Sequence, residues 1–180
     1  MPKDEMKIGG VVLAGGRSSR MGENKALMTY QGQKLVDHMA NLLRQAGCAA
    51  VHISGEVPGY DCIADAVRHE GPVRAMTDLL RCFSDRYERL LFVPVDMPLI
   101  AVEPLRQLMS QGGNVYYRDH PLPVCLRMGD YGLFHSVREF LDSLGAQALE
   151  LPPEWEDRMA NINTQEEWKM LASLSITAKT

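Results

Sequence analysis

The stretch Leu13-Ala14-Gly15-Gly16-Arg17-Ser18-Ser19-Arg20-Met21-Gly22-Glu23-Asn24-Lys25 combines adjacent glycines, adjacent hydroxyls and a set of cations. That combination suits an anion. Gly15 and Gly16 let the backbone approach a ligand closely and take positive φ. Successive N–H groups in such a turn form an anion-binding nest. Ser18 and Ser19 add hydroxyl donors. Arg17, Arg20 and Lys25 add charge, and an arginine fork can grip two phosphate oxygens at once. A bare Gly-Gly would read as a surface turn. The cations and hydroxyls, placed directly after an apolar run, favour a phosphate loop, although the pattern is neither G-x-x-x-x-G-K-[ST] nor G-x-G-x-x-G.

Asp96 is the second candidate. It ends the apolar run Leu90-Leu91-Phe92-Val93-Pro94-Val95 and precedes Met97-Pro98. Taken alone it reads equally as a turn aspartate near a proline. Opposite a phosphate loop it has a stronger use, because Mg²⁺ prefers one or two carboxylates together with phosphate oxygens and water. Gly71-Pro72 opens an expected helix, whose free N–H groups and positive dipole end also attract anions; a plain helix start explains it as well. The remaining polar candidates are His120, which as a lone loop histidine is more often structural, and the amides of Asn161 and Asn163.

These residues need a scaffold. Ile8 to Leu13, Val51 to Ser54 and Arg89 to Val95 read as buried strands, and Asp61 to Val67 as a weaker one. Asn114 to Tyr117 and Val124 to Met128 read as strands on either side of His120-Pro121. Apolar residues recur at helical spacing from Leu35 to Ala46, with Gly47 at the C-cap position. Helices are expected over Pro72 to Phe83, Glu103 to Gln111, Tyr131 to Leu144 and Thr164 to Leu174, with Thr164 and Glu167 at capping-box spacing in the last. Met39, Met109, Tyr116 and Tyr117 read as core or strand-face residues. Strands alternating with helices predict an α/β fold with a mostly parallel sheet covered on both faces. In such sheets ligands bind beyond the carboxyl ends of the strands, which is where the glycine loop and Asp96 fall.

Bulk properties narrow the function. A length of 180 residues suits one domain, taken here as 1–180. The formal net charge of -4 argues against nucleic-acid or membrane-surface binding by bulk attraction. Cys48, Cys62, Cys82 and Cys125 are far apart, with no C-x-x-C pair, and read as reduced, mostly buried thiols. The polar N-terminus, and the lack of any apolar run long enough to span a bilayer, predict a soluble cytoplasmic protein.

The glycine stretch resembles the signature of nucleotidyltransferases with a glycosyltransferase-A-like α/β fold. Within that superfamily, L-A-G-G-x-S-x-R-M-G-x-x-K is most similar to the molybdenum cofactor guanylyltransferases (the MobA family). Val93-Pro94-Val95-Asp96-Met97-Pro98 resembles the family's V-P-x-D-x-P, Gly71-Pro72 its G-P-L-A-G, His120-Pro121 its H-P segment, and Asn161-Ile162-Asn163-Thr164-Gln165-Glu166 its N-[IV]-N-T-P-E. The resemblance implies a Rossmann-like three-layer sandwich of the nucleotide-diphospho-sugar transferase kind. It also implies nucleotide contacts at Leu13, Ala14, Gly15, Gly16, Ser18, Arg20, Lys25, Gly71 and Asp96. Arg20, Lys25 and Asp96 would be catalytic, with Asp96 the metal ligand, and His120, Asn161 and Asn163 would face a pterin. Three positions depart from the pattern: Asn24 stands where the family usually has Asp, Val73-Arg74-Ala75 replaces L-A-G, and Arg68-His69-Glu70 stands near the usual acidic nucleotide contact.

What the resemblance implies chemically is transfer of GMP from GTP to molybdopterin, with Mg²⁺ as cofactor and pyrophosphate as the leaving group. Contacts with molybdoenzyme chaperones belong to the same expectation, although no docking surface is legible. Two alternatives stay open at this stage. The same loop suits CTP or another triphosphate, and the departures are compatible with a nucleotide-binding protein that lacks turnover.

Overall fold

The computed structural model describes residues 7–15, 24–64 and 71–177, with side chains through 171. Strand β1 (Ile8–Leu13) is apolar throughout and buried at every position. Strand β5 (Arg89–Pro94) is apolar after Arg89 and buried from Arg89 to Val93, the guanidinium being satisfied by the Gln111 and Met109 carbonyls. Both lie inside a sheet covered on two sides, which is why neither shows a polar face. Alternation still sorts their side chains. Ile8, Val12, Leu91 and Val93 join one core, and Val11, Leu13, Leu90 and Phe92 join the other.

The other strands are β2 (Thr29–Tyr30), β3 (Gln33–Lys34), β4 (Val51–Ser54), β6 (Val115–Tyr117), β7 (His120–Arg127) and β8 (Gln147–Leu149). Of the eight described strands, six form the main sheet in the order β4-β1-β5-β7-β6-β8 and β2 pairs with β3. β4, β1 and β5 are parallel, β7 runs against β5 and β6, and β8 is parallel to β6. The reversed strand thus sits in the middle of an otherwise parallel sheet, as the mostly parallel expectation required.

Among the described residues, five α-helices pack on the sheet: α1 (Leu35–Ala46), α2 (Pro72–Cys82), α3 (Val102–Ser110), α4 (Val137–Ser143) and α5 (Gln165–Thr177). α1 and α3 supply Leu35, Val36, Met39, Leu43, Leu105 and Leu108 to the first core, where Leu171 of α5 also packs. α2 and α4 supply Val73, Met76, Leu80, Phe140 and Leu141 to the second. Gly47 ends α1 in the left-handed region, φ 108°, and its N–H returns to the carbonyls of Arg44 and Leu43. Glycine takes that conformation without the Cβ clash other residues suffer. No described helix is long and apolar enough to cross a membrane.

Several expectations need correction. The helix expected over Tyr131 to Leu144 begins only at Val137. Ser136 caps it, accepting from the Glu139 N–H, while the Glu139 carboxylate accepts from the His135 N–H. This reciprocal cap terminates the helix on its N-terminal side. The strand expected over Asp61 to Val67 is reduced to one bridge, Ser54 to Ile63, with residues 65–67 outside the described set. His120 and Pro121 are not a loop; they are the first residues of β7. The hairpin β2–β3 was not anticipated. Its turn, Gln31 (φ 49°) and Gly32 (φ 82°), has both central residues at positive φ, which matches the right-handed twist of the flanking strands.

Candidate functional site

The parallel register pairs Leu13 with Pro94, so β1 and β5 end level with each other. The Val95 N–H donates to the Leu13 carbonyl at 3.0 Å and extends that pairing one step past the strands. Ala14-Gly15 and Asp96 therefore leave the same edge of the sheet side by side. A cleft of about 460 Å³ opens there. Leu13, Ala14, Gly15, Lys25, Asp96, Asp119, His120, Asn161 and Asn163 are among the residues that line it. That size falls within the usual range of small-molecule sites.

Lys25 reaches the cleft from a single 3-10 turn, Lys25–Leu27. The turn forms because the Asn24 Oδ1 accepts from the Ala26 N–H at 3.1 Å. The Asn24 amide nitrogen then donates to the Glu56 carbonyl at 3.1 Å. An aspartate would keep the cap and lose this donor, so the departure at position 24 has a structural role here. Lys25 Nζ has three oxygen partners: the Ile162 carbonyl at 2.8 Å, Asn163 Oδ1 at 3.1 Å and Asp96 Oδ2 at 3.5 Å. The Lys25 and Asp96 side chains are 18% and 24% exposed, so the pair is shielded yet reachable by a ligand.

Asp96 is also gripped through its backbone, since its carbonyl accepts from the Ile162 N–H at 2.8 Å. The segment from Asn161 to Asn163 is thereby stitched to the end of β5. Its orientation is fixed from the other side by Glu167, whose carboxylate accepts from the Asn163 N–H at 2.6 Å and the Thr164 N–H at 3.0 Å. Those two donors hold the Glu167 carboxyl below the usual carboxylate range. The expected capping box at Thr164 is present, with the Glu167 N–H returned to Thr164 Oγ1 at 3.2 Å. On the opposite flank, His38 in α1 donates from Nε2 to the Pro98 carbonyl at 3.0 Å and accepts at Nδ1 from Gln33. Burial lowers the pKa of His38 and so favours the neutral ring, and its bond to the Pro98 carbonyl ties α1 to the turn that follows Asp96.

Of the site residues expected from sequence, Leu13, Ala14, Gly15, Lys25, Asp96, His120, Asn161 and Asn163 share the cleft. Gly71 sits at the N-cap of α2 with φ 82°, and its neighbour Pro72 lines the cleft in its place. Gly16, Arg17, Ser18, Ser19, Arg20 and the stretch Arg68-His69-Glu70 lie outside the described residues. Two contributors were not anticipated. Asp119, at φ 66° in the tight β6–β7 connection, lines the cleft beside His120; aspartate directly before a strand is one of the few residues that enters the left-handed region readily. Gly55 packs on the loop from behind: a Cβ there would lie 2.5 Å from the Gly15 nitrogen, and its φ is 118°. Its signal was a glycine immediately after β4. His120 Nε2 is 3.5 Å from Glu156 Oε1, on the 3-10 segment Pro153–Met159.

Among the described residues, no group of three His, Cys, Asp or Glu side chains gathers around a metal position. The carboxylates that line the cleft, among the described residues, are Asp96 and Asp119.

The MobA-like NTP transferase domain matches residues 10–151. A molybdenum cofactor guanylyltransferase from Xanthomonas euvesicatoria pv. vesicatoria (strain 85-10) is 38% identical over 176 residues, covering 90% of this chain and 93% of its own length. The structure of Rv0371c from Mycobacterium tuberculosis H37Rv superposes with a TM-score of 0.70 at 20% identity, over 95% of this chain and all of that one. Molybdopterin-guanine dinucleotide biosynthesis protein A from Archaeoglobus fulgidus does so with a TM-score of 0.69 at 19% identity, over 96% of this chain and all of that one. These two show a shared fold. The sheet order, the level ends of β1 and β5, and the match over most of the sequence converge: the chain belongs to the MobA-like NTP transferase family.

Proposed function

We propose that the protein transfers GMP from GTP to the terminal phosphate of molybdopterin, with release of pyrophosphate. One observation carries the reading: Lys25 and Asp96, on segments 71 residues apart, meet at 3.5 Å in a cleft that also contains Leu13 to Gly15. A cation able to hold phosphate and a carboxylate able to hold a metal, at the ends of two strands and in one cleft, suit a phosphate chain that arrives with its divalent ion.

The reaction is a displacement at the α-phosphorus. An oxygen of the acceptor phosphate forms a bond to it, the bond from that phosphorus to the bridging α–β oxygen breaks, and the electron pair leaves with pyrophosphate. The acceptor oxygen is already anionic, so no general base is required. The chain's task is alignment and charge neutralisation. The backbone of Ala14 and Gly15 approaches the nucleotide. Lys25 holds the leaving phosphates, with Arg20 of the glycine loop as its partner. His120, Asn161 and Asn163, which line the same cleft, are the candidates for contact with the pterin, and Asn163 also holds Lys25. Asp96, Asn163 Oδ1 and the Ile162 carbonyl present hard oxygens, the donor type that Mg²⁺ takes. When bound, Mg²⁺ supplies Lewis-acid polarisation of the phosphate oxygens.

Asp96→Ala is expected to keep the fold and lower turnover at least about a hundredfold, the usual scale for one electrostatic contributor. Pyrophosphate release from GTP and molybdopterin measures it, and near-normal turnover would remove the metal role. Competition binding among GTP, CTP and UTP tests the base, where CTP binding without GTP binding would overturn the guanine assignment. A single domain acting in the cytoplasm, passing its product to molybdoenzymes or their chaperones, completes the proposal.

A further inference from the structure

In the position it occupies, Lys25 gives its donors to the protein, and holding a triphosphate means exchanging at least one of those contacts for phosphate oxygens. An ammonium has three N–H donors, and here they point at three protein oxygens: the Ile162 carbonyl, Asn163 Oδ1 and Asp96 Oδ2, at 2.8, 3.1 and 3.5 Å. These oxygens belong to two segments that are themselves joined, Ile162 N–H to the Asp96 carbonyl. A carboxylate, an amide oxygen and a backbone carbonyl converging on one positive charge are also the kind of donor set a divalent cation would use.

From this we infer that Lys25 is a placeholder cation. In the nucleotide-free protein it neutralises Asp96 and competes with the divalent ion for the same oxygens; the triphosphate draws it off and so opens Asp96 to the metal. The inference rests on the reading of the cleft as a nucleotide and metal site, and it adds an order of events. A divalent ion at Asp96 would face a unit positive charge a few ångströms away, a repulsion that is large at the intermediate dielectric of a half-shielded site. Moving Lys25 onto phosphate removes that repulsion and supplies the donors the phosphate needs. By linkage the effect is reciprocal: metal and nucleotide each favour the displaced lysine and therefore each other, apart from any direct contact between them. Asn24 anchors the base of the device, since it caps the turn from which Lys25 projects and ties it to Glu56.

The test uses Mn²⁺ as the probe and the full chain without nucleotide, with free Mn²⁺ followed by electron paramagnetic resonance. Wild type, Lys25→Met and Lys25→Gln are titrated, each also with Asp96→Asn. Lys25→Gln keeps a neutral donor for the Ile162 and Asn163 oxygens, so one variant retains part of the hydrogen bonding, and circular dichroism verifies that each is folded. Both lysine variants are expected to bind one Mn²⁺ about tenfold or more tighter than wild type, although both lose catalysis, the scale following from one unit charge at this distance. Asp96→Asn is expected to abolish that site in every background. Equal or weaker Mn²⁺ binding in the folded lysine variants, with the site still dependent on Asp96, would overturn the placeholder role and leave the metal reading standing. A tighter site that survives Asp96→Asn would overturn the metal role of Asp96, and this inference with it.

Discussion

At the scale of single residues, the site depends on backbone as much as on charged side chains. Gly55 shows this most directly. It stands behind the glycine loop, with Ala14 N–H bonded to the Ser54 carbonyl at 2.8 Å just before it. Gly55→Ala would place a methyl 2.5 Å from the Gly15 nitrogen, at a φ of 118° that alanine resists. The contact is with backbone, so no flexible side chain can swing away. The variant is expected to lose about 1–3 kcal/mol of stability through strain at this position, measured by urea denaturation, and to weaken nucleotide binding by displacing Gly15. Unchanged values for both would show that the loop tolerates a shift of its base. Position 24 carries a related lesson. From sequence, the amide was a departure that subtracted a charge; in three dimensions its two ends serve the Ala26 N–H and the Glu56 carbonyl. Nothing in the linear order places Glu56 beside it.

Among elements, the segment after the last 3-10 turn does most to complete the cleft. It is held by Ile162 on the Asp96 side and by Glu167 on the helix side. Glu167 links this anchoring to pH. Its folded pKa is held below the ordinary value near 4.5, first by the Asn163 N–H and then by the Thr164 N–H. A depressed carboxyl contributes stability that is present above its unfolded pKa and lost as pH falls through the folded one. The group is exposed, so the effect is modest. Glu167→Gln is expected to lower the thermal midpoint slightly at pH 7 and to narrow the difference between pH 7 and pH 3.5; a difference equal to that of wild type would dismiss the linkage. The elements of this protein were largely legible in sequence where burial is two-sided or periodicity long, as in β1, β5 and α1. They were not legible where a short polar device decided the outcome. The reciprocal cap of Ser136 and Glu139 starts α4 late, and the Gln31-Gly32 turn creates a hairpin from residues with no apolar alternation. For the site, strand ends located Asp96 and the glycine loop, because level parallel strands deliver their loops to one edge. Asp119 and the Ile162 carbonyl escaped notice: one depends on backbone conformation, and the other is a main-chain atom with no sequence signature.

For the molecule as a whole, the sheet separates two cores, and the buried thiols report on one of them. Cys48 and Cys125 are packed in the first core, and burial pushes their thiols up to about 12 and about 11. Cys82 is exposed and Cys62 half-buried. A thiol reagent at pH 8 is expected to modify Cys82 quickly and Cys62 more slowly, and to reach Cys48 and Cys125 only as the chain unfolds; mass mapping of the labelled peptides measures this. Early labelling of Cys125 would mean that the sheet opens locally at β7. The matched transferase domain ends at residue 151, whereas Asn161, Ile162 and Asn163 lie beyond it and still complete the cleft. The cleft is thus closed by a stretch of chain outside the matched domain, and that stretch supplies two of the three oxygens around Lys25 Nζ. Cutting the chain at residue 151 would leave the level ends of β1 and β5 in place and strip Lys25 of every oxygen partner except Asp96.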